Sequence, residues 1–369
     1  MLKNLRTGLI YRNPTPHLTS VHAYFPSVVT LPDGDLLASF AMGEAFEAVN
    51  LHTHLARSAG GGETWRVERA LYHKESDRIT SDFARISVLD SGEVVALLAV
   101  IDRTGHPDSG LANPSTLGFA PTDFMTISSQ DSGATWRAPK KIESPLGDVP
   151  LEMCAPVTEL HDGVRVIPTS PWKMWNGDSP CGARMIMLVS RDGGKSWPEY
   201  SRIMSDPRGE CQFWESKVIV LEDGRLCAVA WVYDEVRGKD VPNRFALSDD
   251  NGLTWTAHES TGLMGQTLTP LALPDGRILS IYRRMDKSGL WAVVSHIDGE
   301  SWENDATVPL WGHHIHGLTD SGDDMVENFR GLKFGAPSAC MRQDGTVFVA
   351  FWAYEDNVSN IRWFSFEVE

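Results

Sequence analysis

No stretch of this chain approaches the roughly 18 consecutive apolar residues that a membrane-crossing helix needs. Helical periodicity is almost absent as well, which turns attention away from helix bundles. Cysteine is scarce: the five residues Cys154, Cys181, Cys211, Cys227 and Cys340 are odd in number and scattered, with no C-x-x-C pair and no zinc spacing. They read as reduced thiols of a cytoplasmic protein. The opening Met1-Leu2-Lys3-Asn4-Leu5-Arg6 lacks the sustained apolar core and cleavage site of a secretory signal, in keeping with that compartment. Positive charge is in short supply, with 33 Lys and Arg against 49 Asp and Glu and a formal charge of −16. That balance argues against non-specific binding to nucleic acid or an anionic membrane, while leaving room for a locally basic pocket. No low-complexity linker interrupts residues 1–369, so one domain is expected, and nothing in the chain fixes its oligomeric state.

What the chain has instead is repetition. Ser129-Gln130-Asp131-Ser132-Gly133-Ala134-Thr135-Trp136 reads S-x-D-x-G-x-T-W, Ser190 to Trp197 repeats it with Ser196 at the Thr position, and Ser248 to Trp255 repeats it in full. Two copies are degenerate: Ser58 to Trp65 has Gly60 in the acidic position, and Ser295 to Trp302 has Ile297 there with Asp298 one place late. A phrase copied at intervals is one supersecondary unit repeated. Asp, Asn and Ser side chains bond nearby amides, and Gly supplies the positive φ of a tight turn. Each copy follows a strand-like run, so each is a hairpin turn whose Trp packs between neighbouring sheets. The Asp of the phrase is therefore a folding staple rather than a reactive group.

A second repeat interleaves with the first: an apolar run, Leu-x-Asp-Gly, then another apolar run. Its turns are 31–34, 89–92 (Leu-Asp-Ser-Gly), 160–163, 221–224 and 273–276, with Gln343-Asp344-Gly345 one residue out of step. Asp-Gly between β-rich runs is the strongest short hairpin signal. Six such hairpins, five of them followed by the Trp hairpin, make six four-stranded antiparallel blades, an all-β six-bladed β-propeller. The sixth lacks the Trp phrase but has a strand at 361–368, and residues 5–11 are available as its outermost strand. These phrases inside a six-blade pattern resemble the Asp-box (BNR-repeat) sialidase superfamily over nearly the whole chain. The resemblance is specific for fold and much less so for reaction, since one fold hosts unrelated functions.

In such a blade the Leu-x-Asp-Gly turns and Trp phrases share one face. The opposite face carries the loops entering each inner strand and leaving each second strand, and a central pocket there is the default site. His22 and Tyr24 enter blade one, Asp82 and Arg85 blade two, Glu152 blade three, and Trp214, Glu215 and Lys217 blade four; Glu327 to Arg330 approach blade six. Glu47 leaves blade one, Trp172 and Trp175 blade three, Arg283 and Arg284 blade five, and Tyr354 blade six. Glu215 stands six residues before Leu221 and Glu152 eight before Leu160, both even separations, so regular strands would turn the two carboxylates to the same side. Paired carboxyls flanking a sugar bond are what glycoside hydrolysis needs. Each also has a purely structural reading as an ion pair, Glu215 with Lys217 or Glu152 with Arg85.

The resemblance separates the candidates. Trp214-Glu215-Ser216 is similar to the blade-four segment where sialidases keep the Glu that partners a nucleophilic Tyr, and Glu47 falls near their acid/base Asp. The rest of that machinery is missing. Tyr24-Phe25-Pro26 stands where an Arg precedes Ile-Pro, Val232-Tyr233-Asp234 where a carboxylate-binding Arg is kept, and Gly335-Ala336-Pro337 where the nucleophilic Tyr is kept. A sialic acid carboxylate then lacks a bidentate clamp. Other members use two carboxylates, as in exo-acting arabinan-degrading enzymes, and others are lyases with a His or Tyr base, for which His22, Tyr24, His52, His54 and Tyr354 are available. The expectation is a hydrolase of a small carbohydrate, with Glu215 catalytic, Glu152 or Glu47 its partner, and Asp82, Arg85, Arg283 and Arg284 positioning polar or acidic groups. A uronic acid lyase and a catalytically silent sugar-binding or scaffold propeller are the alternatives. His313, His314 and His316, beside Asp320, Asp323 and Asp324, form either a metal site or lid, or a solvated loop; their spacing is no zinc pattern, so neither metal nor cofactor is expected.

Overall fold

The computed structural model describes residues 1–73, 77–318 and 331–369. Within them the chain forms six separate four-stranded sheets, all antiparallel and taken in sequence order. The first blade holds β2 (His22–Thr30), β3 (Leu36–Gly43), β4 (His52–Ser58) and β5 (Arg66–Ala70), and the second β6 (Thr80–Val88), β7 (Val94–Asp102), β8 (Thr122–Ser129) and β9 (Lys140–Lys141). The third holds β10 (Thr158–Glu159), β11 (Arg165–Thr169), β12 (Arg184–Ser190) and β13 (Glu199–Ser205). The fourth holds β14 (Cys211–Val220), β15 (Leu226–Asp234), β16 (Lys239–Ser248) and β17 (Glu259–Ser260), and the fifth β18 (Gly265–Ala272), β19 (Ile278–Arg284), β20 (Leu290–Asp298) and β21 (Ser301–Trp311). The sixth, β22 (Phe334–Met341), β23 (Val347–Glu355) and β24 (Val358–Val368), is completed by β1 (Leu2–Tyr11), as the sequence suggested. This is the six-bladed β-propeller class. No helix among the described residues is long and apolar enough to cross a membrane.

Contacts divide the chain into two compact units, Met1–Ile142 with Lys333–Glu369, and Glu143–Leu332. The first contains blades one, two and six, the second blades three, four and five. In each unit, buried side chains of neighbouring blades interlock. Leu37 and Leu55 of blade one pack with Ala84, Ile86, Leu98 and Ile127 of blade two; Met185 and Met187 of blade three pack with Phe213, Val218 and Ala228 of blade four. Burial at roughly 25 cal/mol per Å² makes these faces the main source of stability.

The Trp phrases are turns of the expected kind. Ser129 Oγ donates to Asp131 Oδ1 at 2.7 Å and accepts from Gly133 N at 2.8 Å, while Asp131 takes Thr135 N at 2.8 Å and Thr135 Oγ1 at 2.6 Å. These bonds to the ionised form hold Asp131 at a pKa of about 2. Three of these Trp side chains reach the preceding blade: Trp65 tilts against Phe348 at 5.9 Å, Trp302 against Phe245 at 5.4 Å, and Trp255 Nε1 donates to Ser201 Oγ at 3.1 Å. The fifth phrase departs from the expectation. Lacking the acid at its third position, it closes as a two-residue hairpin with Asp298 opposite Ser301, and Ser295 Oγ bonds Asn304 instead of capping the turn.

Candidate active site

In the second unit the site is built around a defect in a strand. β14 carries a bulge between Trp214 and Lys217, so Glu215 and Ser216 both stand opposite Ala230, and Glu215 adopts φ 54°. A bulge flips the alternation of side chains, and Glu152 lies outside regular strand altogether, because the inner strand of blade three is only Thr158–Glu159. The parity argument for the two carboxylates therefore does not hold. They come together by another route: Glu152 Oε2 accepts Glu215 N–H at 2.7 Å. Glu215 Oε2 in turn accepts the amide of Thr267, itself a bulge residue at φ 57° in β18.

Glu152 is buried, only 6 % exposed, and its carboxyl also bonds the Cys154 side chain, while Lys217 Nζ approaches the carbonyl of Glu215 at 3.5 Å. Desolvation first, then the charge of Glu215, pushes the Glu152 pKa up to about 8. Glu215 is half-buried, and its charge acts on the buried Arg283 guanidinium. Arg283 donates to Gln266 Oε1, Gln266 Nε2 donates to Asp240 Oδ2 at 2.9 Å, and Asp240 Oδ1 takes the indole N–H of Trp231 at 2.8 Å. Burial raises the Asp240 pKa against those two hydrogen bonds.

This network fixes one edge of an aromatic shelf. Trp214 packs on Trp231 at 4.7 Å and lies nearly parallel to Tyr233 at 5.8 Å and 27°, all three half-buried. Apolar ring faces beside a carboxylate are a surface on which the C–H face of a sugar packs. Trp231 and Asp240 were not among the sequence candidates. The available signal was strand register, which sets Trp214 opposite Trp231.

The first unit gathers the remaining candidates in two groups. His22 stacks between Tyr24 at 6.1 Å and Tyr354 at 6.5 Å, and its Nδ1 accepts the amide of Ser359 at 3.1 Å. Burial lowers the His22 pKa, so the ring favours its neutral form, and Tyr24 continues into an aromatic cluster with Phe25, Phe46 and Trp352. The second group is a histidine–carboxylate pair. Asp82 is fully buried, bonds His52 Nδ1 at 2.6 Å and takes Thr53 N at 2.9 Å. Glu47 accepts Leu111 N at 2.8 Å, and burial raises its pKa despite that bond and the charge of Arg103.

The arginines are engaged inside the protein. Arg85 is 7 % exposed and donates to Pro26 O at 2.5 Å, Arg283 is held as above, and Arg284 pairs with Asp286 and lies over the Trp291 ring at 4.9 Å. None of the three presents an open fork to an acidic sugar. Trp172 and Trp175 are half-buried, while His313, His314 and His316 are exposed. Asp320, Asp323, Asp324 and the approach Glu327 to Arg330 lie outside the described residues. Among the described residues no group of three or more His, Cys, Asp or Glu is placed to hold a metal ion.

The BNR repeat-like domain family matches residues 111–308, more than half of the chain. The chain belongs to that family. Among solved structures, this BNR-repeat chain is similar to a protein of unknown function from Dyadobacter fermentans, with TM-score 0.72, 20 % identity and all of both chains covered. It is similar to the NanB sialidase of Streptococcus pneumoniae, with TM-score 0.64, 12 % identity, and 98 % of this chain and 70 % of that one covered. A third likeness is the α-L-arabinanase of Penicillium chrysogenum complexed with arabinobiose, with TM-score 0.63, 17 % identity and 97 % of each chain covered. At these identities the likenesses show the fold of the BNR-repeat chain alone. No curated protein matches its sequence.

Proposed function

We propose that this BNR-repeat chain hydrolyses a glycosidic bond in a small neutral oligosaccharide or glycoconjugate, with Glu215 as the catalytic carboxylate. The observation that carries the reading is Glu215 itself: a half-buried carboxyl on a bulge, beside the Trp214–Trp231–Tyr233 shelf and within the field of Arg283. An ionised carboxylate there would attack the anomeric carbon or take a proton from water. The engagement of Arg85, Arg283 and Arg284 within the protein supports a neutral sugar over a sialic or uronic acid. The similarity to an arabinanase bound to arabinobiose supports the same choice, and the sialidase residues missing at blades one, four and six agree with it.

The test is release of sugar from arabino-oligosaccharides, 4-nitrophenyl glycosides of neutral sugars and a sialyl glycoside, by native protein and Glu215→Gln. Turnover of a neutral glycoside, reduced about 10³-fold in the variant, is expected. Native-level turnover by Glu215→Gln removes Glu215 from the reaction, and failure of native protein on every glycoside favours a silent sugar-binding propeller.

One observation favours a second reading. In the His52–Asp82 pair a buried carboxylate bonds Nδ1, which leaves Nε2 as the basic nitrogen of the neutral ring, on a side chain 37 % exposed. Such a base suits a lyase, which takes the C5 proton of a uronate as the C4 oxygen leaves and a C4–C5 double bond forms. Unsaturated product absorbing in the ultraviolet, and lost in His52→Ala, distinguishes that chemistry from hydrolysis in the same assay.

A further inference from the structure

The Glu152 carboxyl accepts one backbone amide, that of Glu215, and bonds the Cys154 side chain beside it. This amide belongs to the left-handed residue of the β14 bulge, a conformation that persists in a non-glycine residue only where its surroundings over-determine it. The surroundings here are specific. Glu152 bonds the Glu215 N–H, and the next residue is pinned through Ser216 Oγ to Ser170 Oγ at 2.7 Å. Glu152 is itself anchored at both backbone groups, its amide donating to Ser170 O at 3.0 Å and its carbonyl accepting Thr169 Oγ1 at 2.7 Å. Beyond the bulge, the Glu215 carboxyl repeats the arrangement by accepting the amide of the next bulge residue, Thr267. Three consecutive blades are thus linked carboxyl to bulge amide, twice in succession.

We propose that Glu152 is a positioning residue, whose buried carboxyl clamps the Glu215 bulge from behind and thereby aims the Glu215 side chain. It exchanges no proton with the substrate. The consequence for turnover rests on the reading of Glu215 as the catalytic carboxylate; the clamp itself concerns the protein alone. What the clamp needs is an acceptor oxygen at the right reach, and acidity is irrelevant to it. Glutamine supplies that oxygen and mimics the neutral acid that burial favours near pH 7. Aspartate keeps the acid but is one methylene too short. A general acid would show the opposite order.

Two readouts decide it. Hydrogen exchange is followed in segments 211–217 and 265–269 of Glu152→Gln, Glu152→Asp and Glu152→Ala. Exchange at least tenfold faster is expected in both segments of the Asp and Ala variants, and native exchange in Gln. The 265–269 segment is the diagnostic one, because Glu152 shares no hydrogen bond with Thr267 and reaches it only through Glu215. Should the Ala variant not fold, the contrast of Gln with Asp carries the result. Native exchange at 265–269 in the Asp variant overturns the clamp. On a glycoside the native protein turns over, kcat within about threefold of native is expected for Gln, and a loss of about a hundredfold for Asp. A Gln variant as inactive as Ala makes Glu152 the proton donor and overturns the proposal. Glu215→Gln, measured alongside, separates the two failures: full turnover there removes the catalytic reading, while the exchange data still decide the clamp.

Discussion

A carboxyl buried beside another carboxyl is a titration with a structural consequence. Burial and the Glu215 charge raise the Glu152 pKa from the ordinary 4.5 to about 8, so the folded protein keeps a proton that the unfolded chain releases between those values. The folded state therefore binds more protons than the unfolded state in that interval, and linkage makes stability fall as pH rises through it. The contribution of neutral Glu152 is fully present below pH 4.5 and lost by pH values above about 8. Glu152→Gln has no proton to lose. Melting temperatures from pH 5 to 9 should show the native protein declining relative to Glu152→Gln, and parallel curves would mean that Glu152 ionises normally in the fold. Residues of this kind were only partly legible. Glu152 and Glu215 stand out in sequence as acids before inner strands, but Asp240 and Gln266 join the site through pairing across β15, β16 and β18, which no single stretch of sequence displays.

Elements were more legible than residues because each hairpin announces itself locally. Asp-Gly and the S-x-D-x-G-x-T-W turns are closed by bonds among residues two to four apart, so their signal survives in a short window. Bulges carry no such mark. Phe25, Glu215, Thr267 and Ala336 all take positive φ at bulged inner strands, though none is glycine, and an alternation count passes straight over them. The turn glycines also differ by what surrounds them. Gly62 has φ 91°, and a Cβ there would stand 2.3 Å from Cε2 of Phe348, a fully buried ring; Gly276 has φ 84° with open space around it. Both alanine substitutions incur the left-handed penalty of roughly 1–2 kcal/mol. Gly62→Ala adds overpacking of about 1–3 kcal/mol. Urea unfolding should therefore rank Gly62→Ala well below Gly276→Ala, and equal losses would mean that Phe348 yields without cost.

At the scale of the molecule, the first compact unit is assembled from both ends of the chain, and β1 is where they meet. β1 contributes little burial of its own: Ile10 is its one buried side chain, while most of Leu2–Tyr11 is exposed. Its value lies in pairing. It runs antiparallel to β24 from Leu2 opposite Val368 to Tyr11 opposite Ile361, satisfying a strand edge that otherwise faces water. Gly8 lies so close against Trp363 that a Cβ would come within 2.7 Å of the indole, so β1 is also the cover over a side chain only 2 % exposed. Tyr11 stacks on Phe40 of blade one at 5.5 Å, tying the same strand to the next blade of that unit. Deleting residues 1–11 should therefore do two things together. It should red-shift tryptophan emission as Trp363 meets water, and it should produce concentration-dependent association through the bared β24 edge, visible by light scattering. A truncated protein that stays monodisperse with native emission and melting temperature would show that the three-stranded remainder of blade six protects its own edge, and that the pairing of the chain ends is dispensable.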